Sequence, residues 1–429
     1  MAQRAGSADL PLHGGRVPEW LAGRMSRLGT VIAQAIVMEY GRDEFLSRLA
    51  SPFWFQSFGA VMGMDWHSSG ITTSVIGALK RGLTPLEREL GLHVCGGRGR
   101  HSRKTPDELV AIGDRVGFDG HALAKASRLV AKVDSAAVQD GFALYLHGFI
   151  VADDGKWVVV QQGMKDETST ARRYHWQSEG LRDFVEAPHA AIEGEGQGTI
   201  VNLTDVRAKR ARSSSLELLG TLGPDAIVRE VGRIEGRDAA PAPDAPEDEP
   251  MLPHLVMPAH HDVRPKDLIL RRLHGSLAAA ADNAPADFAE LLLTSGVGAR
   301  TVRSLAMVAE VIHGAPHRFS DPARFSMSKG GKDGAPFPVP LKVYDETIRV
   351  LKRAVVKARL GAGEELSAIK RLDAQARAVE ATASGPTFHD YVAEEWRRSK
   401  EYGGRTVMDD VRDKGLPLPE WARAGLPAR

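Results

Sequence analysis

Apolar positions repeat with a helical period towards both ends of the chain and with a strand period in its middle. From Pro18 to about Leu49, Trp20, Met25, Leu28, Ile32, Ile36 and Met38 alternate with charged positions, which predicts two short helices. A further helical block follows the aromatic stretch "SPFWFQSFGAVMGMDWHSSG". Thr84-Pro85-Leu86-Glu87 and Thr105-Pro106-Asp107-Glu108 both read as capping boxes, with Thr as N-cap and Pro at the first helical position. From Phe142 the period becomes that of strands. "FALYLHGFIV", "ADDGK" and "WVVVQQGM" predict a β-hairpin with a two-residue turn at Asp154-Gly155, and "GTIVNLTD" supplies another strand. After residue 251 the spacing is helical again, through "DLILRRLHGSLAAAADNAPADFAELLLTSGVGARTVRSLAMVAEVIHG", then from Tyr344 to about Ala358 and from Glu364 through Glu380.

Between these halves lies "RIEGRDAAPAPDAPEDEP", rich in Pro, Ala and acids with almost no apolar bulk, which reads as a disordered or loosely held linker. The expected fold class is α+β. A mixed α/β unit with a β-hairpin-containing sheet spans residues 1–232, the acidic linker 233–250, an all-helical unit 251–360 and a helical extension 361–429. With 429 residues and 43% apolar side chains, each unit can bury a core. The formal charge of +1, from 56 basic and 55 acidic residues, gives no global polyanion signature, so a nucleic-acid site has to be a local cluster. A single cysteine, Cys95, excludes an internal disulfide framework. No signal peptide is visible and no apolar run approaches the roughly 20 residues that cross a bilayer, so the expectation is a cytoplasmic protein with no membrane partner.

Local chemistry is concentrated in a few stretches. In "LLLTSGVGARTVRSL" an apolar helical stripe runs into Gly296-Val297-Gly298 and out into a second helix. The glycines permit positive φ and close approach, while the free amides and dipole of the following helix favour an anion. Arg300 and Arg303 add charge and Thr301 a hydroxyl. The stretch resembles the helix-hairpin-helix motif, which in many DNA repair and nuclease proteins holds a backbone phosphate without reading sequence. A plain helical hairpin that uses Gly for its turn explains the same pattern. A similar hairpin in base-excision glycosylases is followed by a catalytic Asp, and Asp321 lies in a comparable region. Ser320-Asp321-Pro322 is also a natural helix start. Lys329 and Lys332 in "FSMSKGGKDGAPFPVP" could close a basic surface beside the hairpin, and Arg98, Arg100, His101, Arg103 and Lys104 form a second basic loop.

The first unit is denser in groups that could do chemistry. Asp134 and Asp140 precede a hairpin whose first strand carries Tyr145 and His147 and whose second ends in Gln161 and Gln162. Alternation puts Tyr145 and His147 on one face and lets only one of the two glutamines join them. Carboxylates at a strand start could bind Mg²⁺ or Mn²⁺ and activate water for phosphodiester hydrolysis. The arrangement faintly resembles restriction-endonuclease-like nucleases, whose acidic-x-Lys pattern is absent, because Gln161-Gln162-Gly163 has no lysine in place. Asp140-Gly141 reads equally as a turn. Arg172, Arg173 and His175 among Tyr174 and Trp176 suit phosphate contact, or a capped sheet edge. Asp65 and His67 stand with Ser68, Ser69, Thr72 and Thr73 in a polar knot that could supply a general base or nucleophile, or only a helix cap. His260-His261-Asp262 could ligate metal or mark a surface loop.

"ADLPLHGGRVPEWL", "SPFWFQSFGAVMGMDWHSSGITT", "SRKTPDEL", "VDSAAVQDG", "VVVQQGM", "ARRYHW", "MPAHHDV" and the glycine hairpin together resemble domain-of-unknown-function family 763. The resemblance covers nearly the whole chain apart from the acidic linker and the tail from about residue 360. It implies that the hairpin is a family feature and carries no catalytic role. The functional expectation is a DNA-processing nuclease in which Asp134 and Asp140 hold the metal, His147 or Gln161 positions water or metal, and Arg172 and Arg173 neutralise the scissile phosphate. The alternative is a non-catalytic DNA-binding or repair accessory protein, with a glycosylase using Asp321 as a third reading. DNA, single- or double-stranded, is the expected partner, and homo-oligomerisation is left open.

Overall fold

β-Branched and aromatic residues cluster between residues 142 and 177, and there the strands pair in sequence order. The computed structural model describes residues 19–62, 64, 70–165, 167–168, 170–194, 196–234, 265–323 and positions 349, 351, 353 and 356. The chain opens with α1 (Glu19–Tyr40), α2 (Arg42–Ala50), α3 (Pro52–Met62) and α4 (Ile71–Leu83), then the short α5 (Glu87–Leu90) and strand β1 (Leu92–Arg98). The helical pair α6 (Thr105–Val116) and α7 (Gly120–Lys132) leads through β2 (Val138–Gln139) to β3 (Ala143–Ala152), β4 (Trp157–Lys165), β5 (Thr170–Gln177), β6 (Ala191–Glu193) and β7 (Thr199–Asn202). There follow α8 (Lys209–Thr221), α9 (Gly223–Ile234), α10 (Pro265–Asn283), α11 (Phe288–Leu293), α12 (Ala299–His313) and β8 (Arg318–Ser320). The fold class is α+β. One antiparallel sheet has the order β1-β3-β4-β5-β6 and a smaller one β2-β7-β8.

The large sheet is covered on both faces, which is why its central strands are apolar runs with little alternation. One face packs on α1–α4, where Phe45, Phe55, Phe58, Ile76 and Leu79 meet Leu146, Ile150, Val158 and Val160. The other carries Phe149, Val159, Tyr174 and Trp176 into a core built with Val130, Leu218 and Ile227. Leu277, Leu291, Val302 and Leu305, from α10 to α12, are buried in that same second core, and β8 pairs with β7. The segment expected as a separate helical unit is therefore one layer over the sheet, because its apolar stripes are buried there. The linker core at 235–250, the helices expected after residue 344 and the tail lie outside the described residues, apart from the single positions 349, 351, 353 and 356.

Several local expectations change. The helices expected over 18–49 are a 22-residue α1 and a 9-residue α2 that meet at Gly41. Neither threonine caps a helix: each sits at helical φ, −51° for Thr84, where α4 runs on into a 3₁₀ turn, and −52° for Thr105, where a 3₁₀ turn runs on into α6. Their hydroxyls donate backwards, to Lys80 O at 2.5 Å and Ser102 O at 2.8 Å. Glu108 instead accepts from the Gly96 N–H at 2.6 Å and from Lys80 Nζ at 2.7 Å. The β3–β4 connection is three residues, Asp153 to Gly155, since Lys156 O already accepts from the Ala152 N–H, and Gly155 takes the left-handed position. In β3 the register jumps from Leu144 opposite Gly163 to Leu146 opposite Gln162. Tyr145 is thus a bulge residue. It packs against the first core while His147 faces the second, so the two do not share a face.

Gly120 marks the closest approach of α6 and α7, where an added Cβ would lie 2.7 Å from Leu109 O and from Val110 Cα. Neither is a flexible atom, so the helices would have to part. Gly120→Ala is expected to destabilise the protein by about 1–3 kcal/mol, read as a lower urea midpoint at unchanged slope.

Candidate functional site

At its C-terminus α7 widens into a π-helical turn, Val133–Ala137, which points Asp134 inwards beneath the sheet. Both Asp134 oxygens are taken. Oδ2 accepts from Gln161 Nε2 at 2.5 Å and Trp176 Nε1 at 2.9 Å, and Oδ1 from His189 Nε2 at 2.5 Å. Because Gln161 gives its amide N–H to Asp134, its carbonyl faces His147 Nδ1 at 2.6 Å, which places the imidazole proton on Nδ1. His147 Nε2 is then the acceptor for the Ser127 hydroxyl at 2.9 Å. Burial holds the His147 pKa below its ordinary value, against the opposing Gln161 bond and Asp134 charge, and keeps the ring neutral. A hydroxyl on an oriented imidazole has the form of an activated nucleophile. Ser127, however, is only 3% exposed, so the relay is closed to substrate.

A second network begins at Asp140. Its Oδ1 accepts from the Phe142 N–H, as in a turn, and its Oδ2 from Arg172 Nη1 at 2.8 Å and the Tyr174 hydroxyl at 2.7 Å. Burial raises the Asp140 pKa against the pull of Arg172, Tyr174 and the Phe142 amide. Arg172 stacks on Phe142 and is held from its other side by Asp321, Nη1 to Oδ1 at 2.9 Å and Nη2 to Oδ2 at 2.6 Å. Burial would lower the guanidinium pKa, but the two carboxylates raise it. Asp321 Oδ1 also accepts from the Ala323 N–H and Oδ2 from the Gln197 N–H. Arg173 points to the opposite face, donating to Thr72 Oγ1 at 2.9 Å and Gln56 Oε1 at 2.6 Å beside Glu193.

The sequence-predicted residues thus separate into groups. Asp134, His147 and Gln161 converge, whereas Asp140 belongs to the arginine network and Gln162 to the other face. Arg172 and Arg173, expected at a phosphate, are structural pins whose side chains are 0% and 3% exposed. The donor set does not fit Mg²⁺ or Mn²⁺ as arranged, because the oxygens of Asp134 and Asp140 are turned onto N–H, O–H and guanidinium donors. Among the described residues no cluster of three or more His, Cys, Asp or Glu is placed to hold a metal ion. Asp321 is likewise locked, with Arg172 and two amides on its carboxylate. Asp65, His67, His260, His261, Asp262, Lys329 and Lys332 lie outside the described residues. Ser127 and His189 had no local signal: one is a small residue inside a helix, the other follows an Ala-Pro pair in a loop.

The glycine hairpin stands at the surface. Ser295 and Gly296 are exposed, and Gly296 has φ +83°, while the Val297 side chain is buried as a plug. Two hairpin carbonyls and that of the first residue of α12 accept from three elements: Gly296 O from Ser276 Oγ at 2.9 Å, Val297 O from Lys132 Nζ, and Ala299 O from Gln139 Nε2 at 2.8 Å. Burial lowers the Lys132 pKa. Because a trans peptide sets N–H and C=O on opposite edges, the Gly298 and Arg300 N–H groups face away from those donors. Arg300 and Arg303 are exposed on the first turns of α12, whereas Thr301 is buried and faces the core. Arg103 and Lys104 are exposed on the 3₁₀ turn before α6.

A family model described as "Protein of unknown function (DUF763)" matches residues 6–339. The chain belongs to the DUF763 family. No curated protein and no solved structure matches it. The DUF763 region therefore contains both buried networks and the whole hairpin. No helix among the described residues is long and apolar enough to cross a membrane.

Two outcomes follow from these networks. Asp321→Ala leaves a buried guanidinium with one of its two carboxylates, and is expected to cost about 3–5 kcal/mol in urea unfolding. His147, His175 and His317 are all depressed by burial below the ordinary 6.5. Below about pH 6.5 the unfolded chain takes up protons that the folded chain refuses, so their contribution is intact above that pH and lost as pH falls. Stability measured from pH 7.5 downwards is expected to decline below about 6.5, by up to about 1.4 kcal/mol per pH unit for each histidine.

Proposed function

We propose that this DUF763 protein binds DNA through its backbone, with the Gly296–Gly298 hairpin as the phosphate contact. The observation that carries this reading is the anchoring of the Gly296, Val297 and Ala299 carbonyls by Ser276, Lys132 and Gln139, which turns the Gly298 and Arg300 amide N–H groups away from those donors. Those amides lie at the start of the 15-residue α12, whose dipole favours an anion, beside the Arg300 and Arg303 side chains. A simple turn between helices needs the positive φ of Gly296 but not side chains from α10 and α7 holding its carbonyls, with one from β2 on the Ala299 carbonyl beside them. Contacts of this kind bind phosphate without reading bases, so affinity depends on salt and little on sequence.

The nuclease expectation has no open carboxylate to rest on at Asp134 or Asp140, and the reading stops at binding. A DNA repair or processing complex would supply the chemistry, with this chain as its DNA-holding member.

Fluorescence anisotropy with labelled DNA tests the reading. Wild-type protein is expected to bind at about 50 mM salt and to weaken steeply by about 200 mM. Arg300→Gln with Arg303→Gln is expected to weaken binding uniformly across sequences and to lower the salt slope by about 2. Absence of binding at low salt, or an unchanged slope in that variant, would sink the hairpin reading. In the same preparation, Mg²⁺ or Mn²⁺ is expected to leave single-stranded, duplex and branched DNA uncut; cleavage abolished by Asp140→Asn would overturn the restriction to binding.

A further inference from the structure

The hairpin is held by Lys132, and Lys132 ends a stripe. Along α7, His121, Lys125, Arg128 and Lys132 recur at spacings of four, three and four residues, which places them on one side of the helix. His121, Lys125 and Arg128 are exposed, and the opposite side of α7, with Ala126, Ser127 and Val130, is buried, so the direction of the basic face is fixed. The 13 residues of α7 contain no acid. Among the described residues no carboxylate pairs with Lys125 or Arg128, whereas Lys80, Arg115, Lys156 and Arg207 are all in ion pairs. The stripe therefore keeps its charge uncompensated and terminates on the Val297 carbonyl of the hairpin.

We propose that the exposed face of α7 is a second phosphate-binding track continuous with the hairpin, along which this protein holds duplex DNA. The inference rests on the hairpin reading and extends it. Eleven steps from His121 to Lys132 at about 1.5 Å rise make a track of about 16 Å, the length over which one strand of a duplex presents about five phosphates at about 3.4 Å of axis each. Its exposed side chains are His121, Ala122, Lys125 and Arg128, with no Phe, Tyr or Trp on which unpaired bases could stack. Single-strand binders depend on such platforms; a bare cationic face suits the continuous backbone of a duplex.

Full-length protein and a labelled duplex of about 20 bp provide the test, by anisotropy across a salt series, with the single strand and an RNA duplex of the same sequence as further arms. Lys125→Gln with Arg128→Gln is expected to weaken duplex binding at least about tenfold and to lower the log–log salt slope by about 1.8, at 0.9 per lost contact. Lys125→Arg is expected to retain wild-type binding. Unchanged affinity and slope in the Lys125/Arg128 variant, alongside a loss in the Arg300/Arg303 variant, would overturn the α7 track and leave the hairpin standing. No loss in either variant, or no binding by wild type, would overturn both. Tighter binding of the single strand or of the RNA duplex would overturn the assignment to duplex DNA.

Discussion

Arg172 lies between Asp140 and Asp321 with no exposed side-chain surface, and much of the molecule is arranged around that burial. A guanidinium taken out of water on the face of a sheet is tolerable only if carboxylates meet it with good geometry. Asp140 is local, set in the turn before β3. Asp321 comes from 149 residues further along the chain, and to reach Arg172 the segment after α12 has to return to the sheet and pair as β8 with β7. The adjacent Arg173 does the same on the opposite face, binding Gln56 of α3 and Thr72 of α4. Two consecutive residues of β5 thus tie the strand to the segment after β8 on one face and to α3 and α4 on the other.

That tie sets the orientation of the hairpin. With α12 docked by its apolar stripe and β8 held by the Asp321 clamp, the loop at Gly296–Gly298 falls against the end of α7, where Lys132 and Gln139 receive its carbonyls. The same stretch of α7 and its π turn carries Ser127 and Asp134 inwards to the His147 relay. One helix therefore supports the buried network with one side and presents the cationic track with the other, and a change in either is felt through the packing between them.

The sheet, the β3–β4 hairpin and the α11–α12 hairpin were legible because each is specified by neighbours in sequence: β-branched runs, a glycine at a left-handed position, apolar residues at helical spacing. The error over Tyr145 and His147 arose from a bulge, which depends on how β3 meets β4 and leaves no mark in β3 alone. The threonine caps failed for a similar reason, since the chain before each was already helical, α4 before Thr84 and a 3₁₀ turn before Thr105. In the buried site, the sequence put Asp134 and Asp140 together with His147 and one of two glutamines; that Asp134, His147 and Gln161 are the three that converge was decided by packing. The pairing of Asp140 with Arg172 was not, because a carboxylate that could hold a metal ion and one that neutralises an arginine look the same in sequence.

Residue type and spacing by themselves determined the α+β class, the placement of β3, β4 and β7 and the glycine hairpin, all of which are set over a few residues of chain. Tertiary structure alone decided what the charges do. Whether Asp134, Asp140, Arg172 and Arg173 face a ligand or one another depends on which donors burial brings within hydrogen-bond distance, and those donors lie up to 149 residues away. Desolvation makes that choice sharp: once the sheet is covered on both faces its charged residues must be satisfied internally, while Lys125, Arg128 and Arg303 stay at the surface.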